Sequence, residues 1–67
     1  MCLSTAYLDQ KMESGSEKIL MEYVSTVRME DGDIILTDMM GEQKRIRGML
    51  TFADLTGGVL KIREITG

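Results

Sequence analysis

Four glycine-bearing turns cut this chain into pieces that suit strands and leave no room for a crossover helix. They fall at Ser14-Gly15-Ser16, Asp31-Gly32, Gly41-Glu42 and Thr56-Gly57-Gly58. The second is the most informative. Asp-Gly between two apolar extended runs signals a two-residue hairpin, whose central residues both need positive φ. Parallel neighbours would need a connection of a dozen or more residues, whereas hairpins need almost none. The spacing therefore predicts an all-β chain of about five short strands, folded as a small antiparallel barrel or sandwich.

Side-chain alternation places the strands. Residues 2–8 carry β-branched or aromatic side chains at Thr5 and Tyr7 and read as a strand that begins almost at the first residue. Asp9 to Glu17 is polar and reads as a turn. Lys18 to Glu30 is a longer extended segment, with apolar residues at Ile19-Leu20-Met21 and again at Tyr23, Val24, Val27 and Met29. Its change of phase near Ser25-Thr26 predicts a bulge, of the kind a small barrel uses to close. A helix over Ser16 to Met29 is the rival reading, since Ile19, Tyr23 and Val27 also fit a helical stripe. Its β-branched residues weigh against that. Ile34 to Asp38 is the next strand. Gln43 to Phe52 alternates, with Ile46, Gly48, Leu50 and Phe52 on one face and Arg45, Arg47, Met49 and Thr51 on the other. Gly48 inside this strand predicts a kink or a close backbone contact. Val59 to Ile65 closes the chain, with Leu60 and Ile62 inward and Lys61 and Arg63 outward.

Size and composition narrow the function. At 67 residues the chain can build one domain, residues 1–67, and a domain this small buries only about 60% of its unfolded surface. A single cysteine excludes an internal disulfide. Small domains without disulfides commonly draw stability from a metal or a partner subunit, so a homodimer is expected. The absence of histidine excludes the triads that use it and every His-based zinc site, and it leaves the cysteine without a base. The expected protein is not an enzyme. No apolar run exceeds three residues, against the ~20 of a membrane helix. No basic stretch is followed by an apolar one, as in a secretory signal. A cytoplasmic protein off the membrane is expected. Eight basic and 11 acidic residues give a net charge of −3, a poor balance for binding nucleic acid.

Chemistry concentrates at Cys2. A lone cysteine is most often a small buried hydrophobe, but position 2 brings a thiolate, a free amine and the peptide nitrogen between them into one dipeptide. With Met1 retained, the Met1 amine and the Cys2 amide nitrogen close one five-membered chelate ring. The same nitrogen and the Cys2 sulfur close a second. With Met1 removed, Cys2 supplies an amine and a thiolate, and two chains supply two of each. Both are planar N/S sets, which suit Ni(II) or Cu(II) better than tetrahedral zinc. One terminus cannot complete four ligands, whereas a dimer whose twofold axis passes near both N-termini can. The candidate metal ligands are thus Cys2 and Met1, the cofactor Ni(II), and the partner a second copy. An intermolecular disulfide across the same axis is the redox alternative, opposed by cytosolic reducing conditions.

The remaining candidates have plainer explanations. The seven methionines could offer thioethers to copper(I), but they are not clustered and read as core filler, except that Met39-Met40 is expected to be partly exposed in a turn, which suits a partner surface. Lys44, Arg45 and Arg47 form the basic cluster. Glu42 sits beside it, and one Phe and two Tyr give a nucleic-acid base little to stack on, so it reads as a solvated strand face. Glu30, Asp31, Asp33 and Asp38 lack calcium-loop spacing.

The opening Met1-Cys2-Leu3-Ser4-Thr5-Ala6-Tyr7-Leu8 resembles that of the CooT family, small proteins that start Met-Cys and run straight into a strand. The likeness continues through Gly32 to Asp38, Gly41-Glu42 to Gly48, Phe52-Ala53-Asp54-Leu55 and Val59-Leu60-Lys61-Ile62, essentially the whole chain. It implies an Sm- or SH3-like barrel and a homodimeric nickel-binding accessory protein, a metallochaperone for maturation of carbon monoxide dehydrogenase. It also implies a nickel site that depends on the N-terminal cysteine, here Cys2 and, if retained, the Met1 backbone. The family has also been labelled RNA-binding, from the barrel alone. A small RNA-binding barrel using Lys44, Arg45 and Arg47, with Lys61 and Arg63, is the alternative. That label is fold analogy, a weak warrant for function. Met39-Met40 stands where a Leu–aromatic pair is expected, which bears on any shared partner surface.

Overall fold

The computed structural model describes residues 3–9 and 18–65, and the hairpin turns within that range fall where the glycines put them. The strands are β1 (Ser4–Leu8), β2 (Lys18–Glu30), β3 (Asp33–Asp38), β4 (Gln43–Asp54) and β5 (Val59–Glu64). They join in chain order into a closed barrel. The rival helix is absent, since the described part of that segment is all strand from Lys18 onward. The start of the first strand at Cys2 and the turn tip at Ser14-Gly15-Ser16 lie outside the described residues.

Four neighbouring pairs are antiparallel, and the closing pair, β1 with β5, is parallel. Counting explains this. Each hairpin reverses the chain, so the first and fifth strands of a meander run the same way. A five-stranded ring of consecutive hairpins can then close only through one parallel pair.

The turn between β2 and β3 behaves as Asp-Gly predicts. Asp31 and Gly32 have φ of 54° and 83°, the left-handed values that a tight hairpin requires at both central positions. The core is built by alternation: Ala6, Val24, Ile34, Leu36, Ile46, Leu60 and Ile62 are buried together, with Leu20, Met21, Val27 and Leu50 packed against them. Ile35 lies between two core residues in β3 and outside that cluster, yet it is buried. Its cross-strand neighbours are Arg28 and Arg45, whose long aliphatic stems suit them to cover an apolar surface.

β2 carries the expected irregularity. Its pairing with β3 slips at Ser25, between Val24↔Asp38 and Thr26↔Thr37. The Ser25 hydroxyl donates to the Thr37 carbonyl oxygen at 3.1 Å, which ties the bulge to the neighbouring strand. Two further register shifts occur where β2 pairs with β1. The strand thereby bends enough to serve β1 with its first half and β3 with its second.

The alternation assigned to β4 fails at one position. Ile46 and Leu50 turn toward the core, but Phe52 is half exposed. The β4·β5 register slips between Leu50↔Ile62 and Phe52↔Lys61. One inserted residue sends every later side chain to the other face. The Phe52 ring then lies 5.7 Å from Lys61 Nζ, within cation–π range. Gly48 is the close contact the sequence predicts: a Cβ there would overlap the Arg63 carbonyl oxygen of β5.

Asp54 organises the β4–β5 turn. Its carboxylate accepts the Gly57 N–H and the Thr56 hydroxyl, each at 3.0 Å, and its carbonyl accepts the Gly58 N–H at 2.8 Å. The Gly57 bond foremost, then the Thr56 bond, holds the carboxyl below its ordinary pKa of 3.8. A depressed carboxylate stabilises the fold above its unfolded-state pKa, and that contribution fades as pH falls through the lowered value. We expect Asp54→Asn to be less stable than wild type at neutral pH. The gap closes as pH drops below 3.8, as followed by thermal denaturation across a pH series. A gap that persists unchanged in acid would show that charge is not what the turn uses.

Candidate functional site

Met1 and Cys2, the sequence-derived ligands, lie outside the described residues, so the site is approached from Leu3, to which Cys2 is bonded. The Thr5 N–H donates to the Gly58 carbonyl at 2.9 Å, which fixes the start of β1 against the β4–β5 turn. Leu3, Ser4, Thr5, Glu22 and Tyr23 line a shallow groove. A second groove, lined by Ser4, Val24, Ser25, Thr26, Val27, Leu55 and Leu60, meets the first at Ser4. The chain thus enters the barrel between the bent part of β2 and the β4–β5 turn.

The wall facing Leu3 is unusual. Tyr23 has φ of 58°, a left-handed conformation that costs a non-glycine residue about 1–2 kcal/mol. Glu22 and Tyr23 are both exposed before the chain dips to buried Val24. The strand's two-residue alternation is therefore broken at this point. The Tyr23 carbonyl accepts the Met39 N–H at 3.0 Å, which joins this wall to the β3–β4 turn. That turn is closed by the Asp38 carboxylate, which accepts the Met40 and Glu42 N–H groups at 2.9 Å each.

Among the described residues, no group of three or more His, Cys, Asp or Glu side chains could hold a metal. The acidic residues singled out in the sequence have other work. Glu30 and Asp33 hold Arg45 at 3.0 and 3.2 Å, and Asp33 Oδ1 lies 3.2 Å from Arg47 Nε. This last contact is a Coulombic pair without hydrogen-bond geometry.

The basic cluster does not form one face. Arg45 and Arg47 pair across the sheet with Ile35 and Asp33, on the outer side, whereas Lys44 pairs with core Leu36 and belongs to the opposite side. Arg63 and Lys61 sit on a different part of the wall, in β5. Arg63 Nη2 lies 3.5 Å from the Asp9 carboxylate, to which the Thr51 hydroxyl also donates at 2.7 Å. Sequence reading missed this cluster. Its members are 42 and 54 residues apart, and no local pattern marks them.

Among the described methionines, the reading as core filler holds for Met21 and fails for Met29 and Met49, while Met39-Met40 has the exposure expected of it. Met29, Met39, Met40 and Met49 are all exposed, Met40 by 80%. Met39 and Met40 sit in the β3–β4 turn, and Met1 and Met12 lie outside the described residues.

The comparisons agree with this architecture. The family model described as "CO dehydrogenase accessory protein CooT" matches residues 1–63. No curated protein matches. A crystal structure described as that of a CooT candidate from Carboxydothermus hydrogenoformans shares the fold, with a TM-score of 0.81 at 15% identity over 97% of this chain and 100% of that one. The family match takes in nearly the whole sequence, from the Met-Cys opening through β4 and most of β5, and on that match the chain belongs to the CooT family of CO dehydrogenase accessory proteins.

Proposed function

We propose that this chain is a non-enzymatic nickel carrier serving the maturation of a nickel enzyme such as carbon monoxide dehydrogenase. The cargo ion is held at a homodimer interface by the Cys2 thiolates and backbone nitrogens, with the Met1 amine among them where Met1 is retained. The observation that carries this reading is the CooT family match beginning at residue 1, with Cys2 inside it. The chemistry of the dipeptide supports it, because a thiolate, an amine and a deprotonated amide make a planar set suited to Ni(II). The carrier works in the cytoplasm, where thiols stay reduced.

The test is a nickel titration of untagged wild type and Cys2→Ser, followed by the thiolate-to-nickel charge-transfer absorption and by intact mass. Wild type is expected to bind and Cys2→Ser to lose the band. Affinity falls as pH is lowered, because protons compete for the sulfur and nitrogen ligands. Equal binding by both proteins overturns the reading. The RNA-binding alternative has no observation in its favour, since any phosphate reaching Arg45 or Arg47 would compete with Glu30 and Asp33.

A further inference from the structure

The barrel shows solvent two different walls. On the wall formed by β3 with the adjoining parts of β2 and β4, Arg45 and Arg47 are paired with Glu30 and Asp33. The wall formed by β1 and β5, with the first part of β2 and the last part of β4, is built otherwise. Lys61 lies between inward Leu60 and Ile62 and so points outward. Its cross-strand partners are Tyr7 and Phe52, and Tyr7 pairs in turn with Ile19. Paired residues share a face. Ile19, Tyr7, Lys61 and Phe52 therefore form one outward row across four strands, about 14 Å long at ~4.8 Å between strands. Arg63, two residues on from Lys61, pairs with Met49 in the next row. Ile19, Phe52 and Met49 are 48%, 50% and 50% exposed. The solvent face of an antiparallel sheet is ordinarily polar, and contiguous apolar surface marks an interaction site.

We infer that this wall is a docking surface for a partner protein that presents acidic side chains beside apolar ones. Charge selects the occupant. Lys61 and Arg63 hold successive outward positions of β5, with Asp9 beside Arg63, whereas Asp54 directs its carboxylate into its own turn. The wall is thus net positive on a chain of net charge −3. The Arg63 guanidinium has five N–H donors. Among the described residues it meets an acid at Asp9, at 3.5 Å, and the side chain is 43% exposed, so its outer N–H groups can take a carboxylate from outside. The Lys61 ammonium lies 5.7 Å from the centre of the Phe52 ring, which sets positive charge directly against apolar surface. A complementary partner carries acid and apolar groups equally close together. Protein interfaces are enriched in the same residue types, Tyr, Phe, Met and Arg. An anionic bilayer or a nucleic acid also offers negative charge, but each is a long-range field that repels a chain of this net charge, whereas a protein presents its acids locally. A second copy is disfavoured here, because β1 and β5 are the middle strands of the wall and a twofold contact through it sets Lys61 and Arg63 against themselves.

The experiment titrates three short synthetic peptides into the untagged protein and follows the backbone amide chemical shifts. One peptide alternates Glu with Leu, one Lys with Leu and one Glu with Ser. The Glu-Leu peptide is expected to bind and to shift the amides of Tyr7, Phe52, Lys61 and Arg63, less tightly as salt is raised. The other two bind about tenfold more weakly or not at all. Lys61→Gln and Phe52→Ser each lose about tenfold in affinity for the Glu-Leu peptide, while Gln43→Glu, on the other wall, binds it like wild type. Lys61→Gln and Gln43→Glu lower the net charge equally, so only position separates them. Lys61 and Phe52 lie outside the core cluster, and the amide spectrum of each variant reports that it is folded. Equal binding by all three peptides, binding by none, or shifts confined to another face overturns the inference. So does an oligonucleotide or a phosphatidylglycerol vesicle that binds this wall more tightly than the Glu-Leu peptide does.

Discussion

Leu36→Ala is expected to leave much of the chain unfolded at room temperature. Leu36 is one of the three largest fully buried side chains, with Ile34 and Ile62, and is 0% exposed. Truncating a buried leucine to alanine costs about 2–5 kcal/mol, through lost burial and the cavity left behind. Domains hold roughly 0.05–0.15 kcal/mol of stability per residue, which for 67 residues is of the same order as that loss. The barrel has little scope to collapse around the gap, because the core strands are pinned in register on both sides by their neighbours. Urea unfolding followed by circular dichroism measures the effect. A midpoint unchanged from wild type would mean that the core described here is not what holds the barrel closed.

Gly48→Ala is the second large effect, and its sign runs against the usual rule. Replacing glycine in a strand with alanine ordinarily helps, because glycine gives up more backbone entropy on folding. Here the added carbon would overlap the Arg63 carbonyl oxygen, which is backbone and cannot rotate away. Relief requires β4 and β5 to move apart at the Gly48↔Glu64 pair. Such overpacking costs about 1–3 kcal/mol and at times more, or a fall in Tm of roughly 4–8 °C for each kcal/mol in a domain this size. A rise in Tm would show that the two strands separate there at little cost.

What was legible in the sequence, and what was not, divides along the range of the forces involved. Asp31-Gly32 announced its turn because the requirement for positive φ is local to two residues. The Ser25 bulge could be read from a phase change within one strand, and Gly48 from a missing side chain in an alternating run. Leu60 and Ile62 were placed inward by periodicity alone. Phe52 was misplaced because its facing depends on a register slip against β5, which only the partner strand determines. The exposure of Met39 and Met40 was legible from their place in a turn, whereas that of Met29, inside β2, was hidden for a related reason: an apolar strand residue's fate is set by whether anything packs on its face of the sheet. The strained Tyr23 and the Asp9–Thr51–Arg63 cluster carried no local signal at all. The Cys2 and Met1 ligand set is proposed from the covalent chemistry of the Met-Cys dipeptide, and both residues lie outside those the structure describes.

The division of β2 between two neighbouring strands has a consequence for how a partner chain could be met. Among the described strands, Lys18 to Met21 of β2 pairs with β1 and Thr26 to Glu30 with β3, so each half keeps one main-chain side to which a guest segment can add itself. Recognition can then run through the main chain as well as through side chains. Substitutions on the outer wall would change only the side-chain part, since the hydrogen-bonded ladder is made by the backbone.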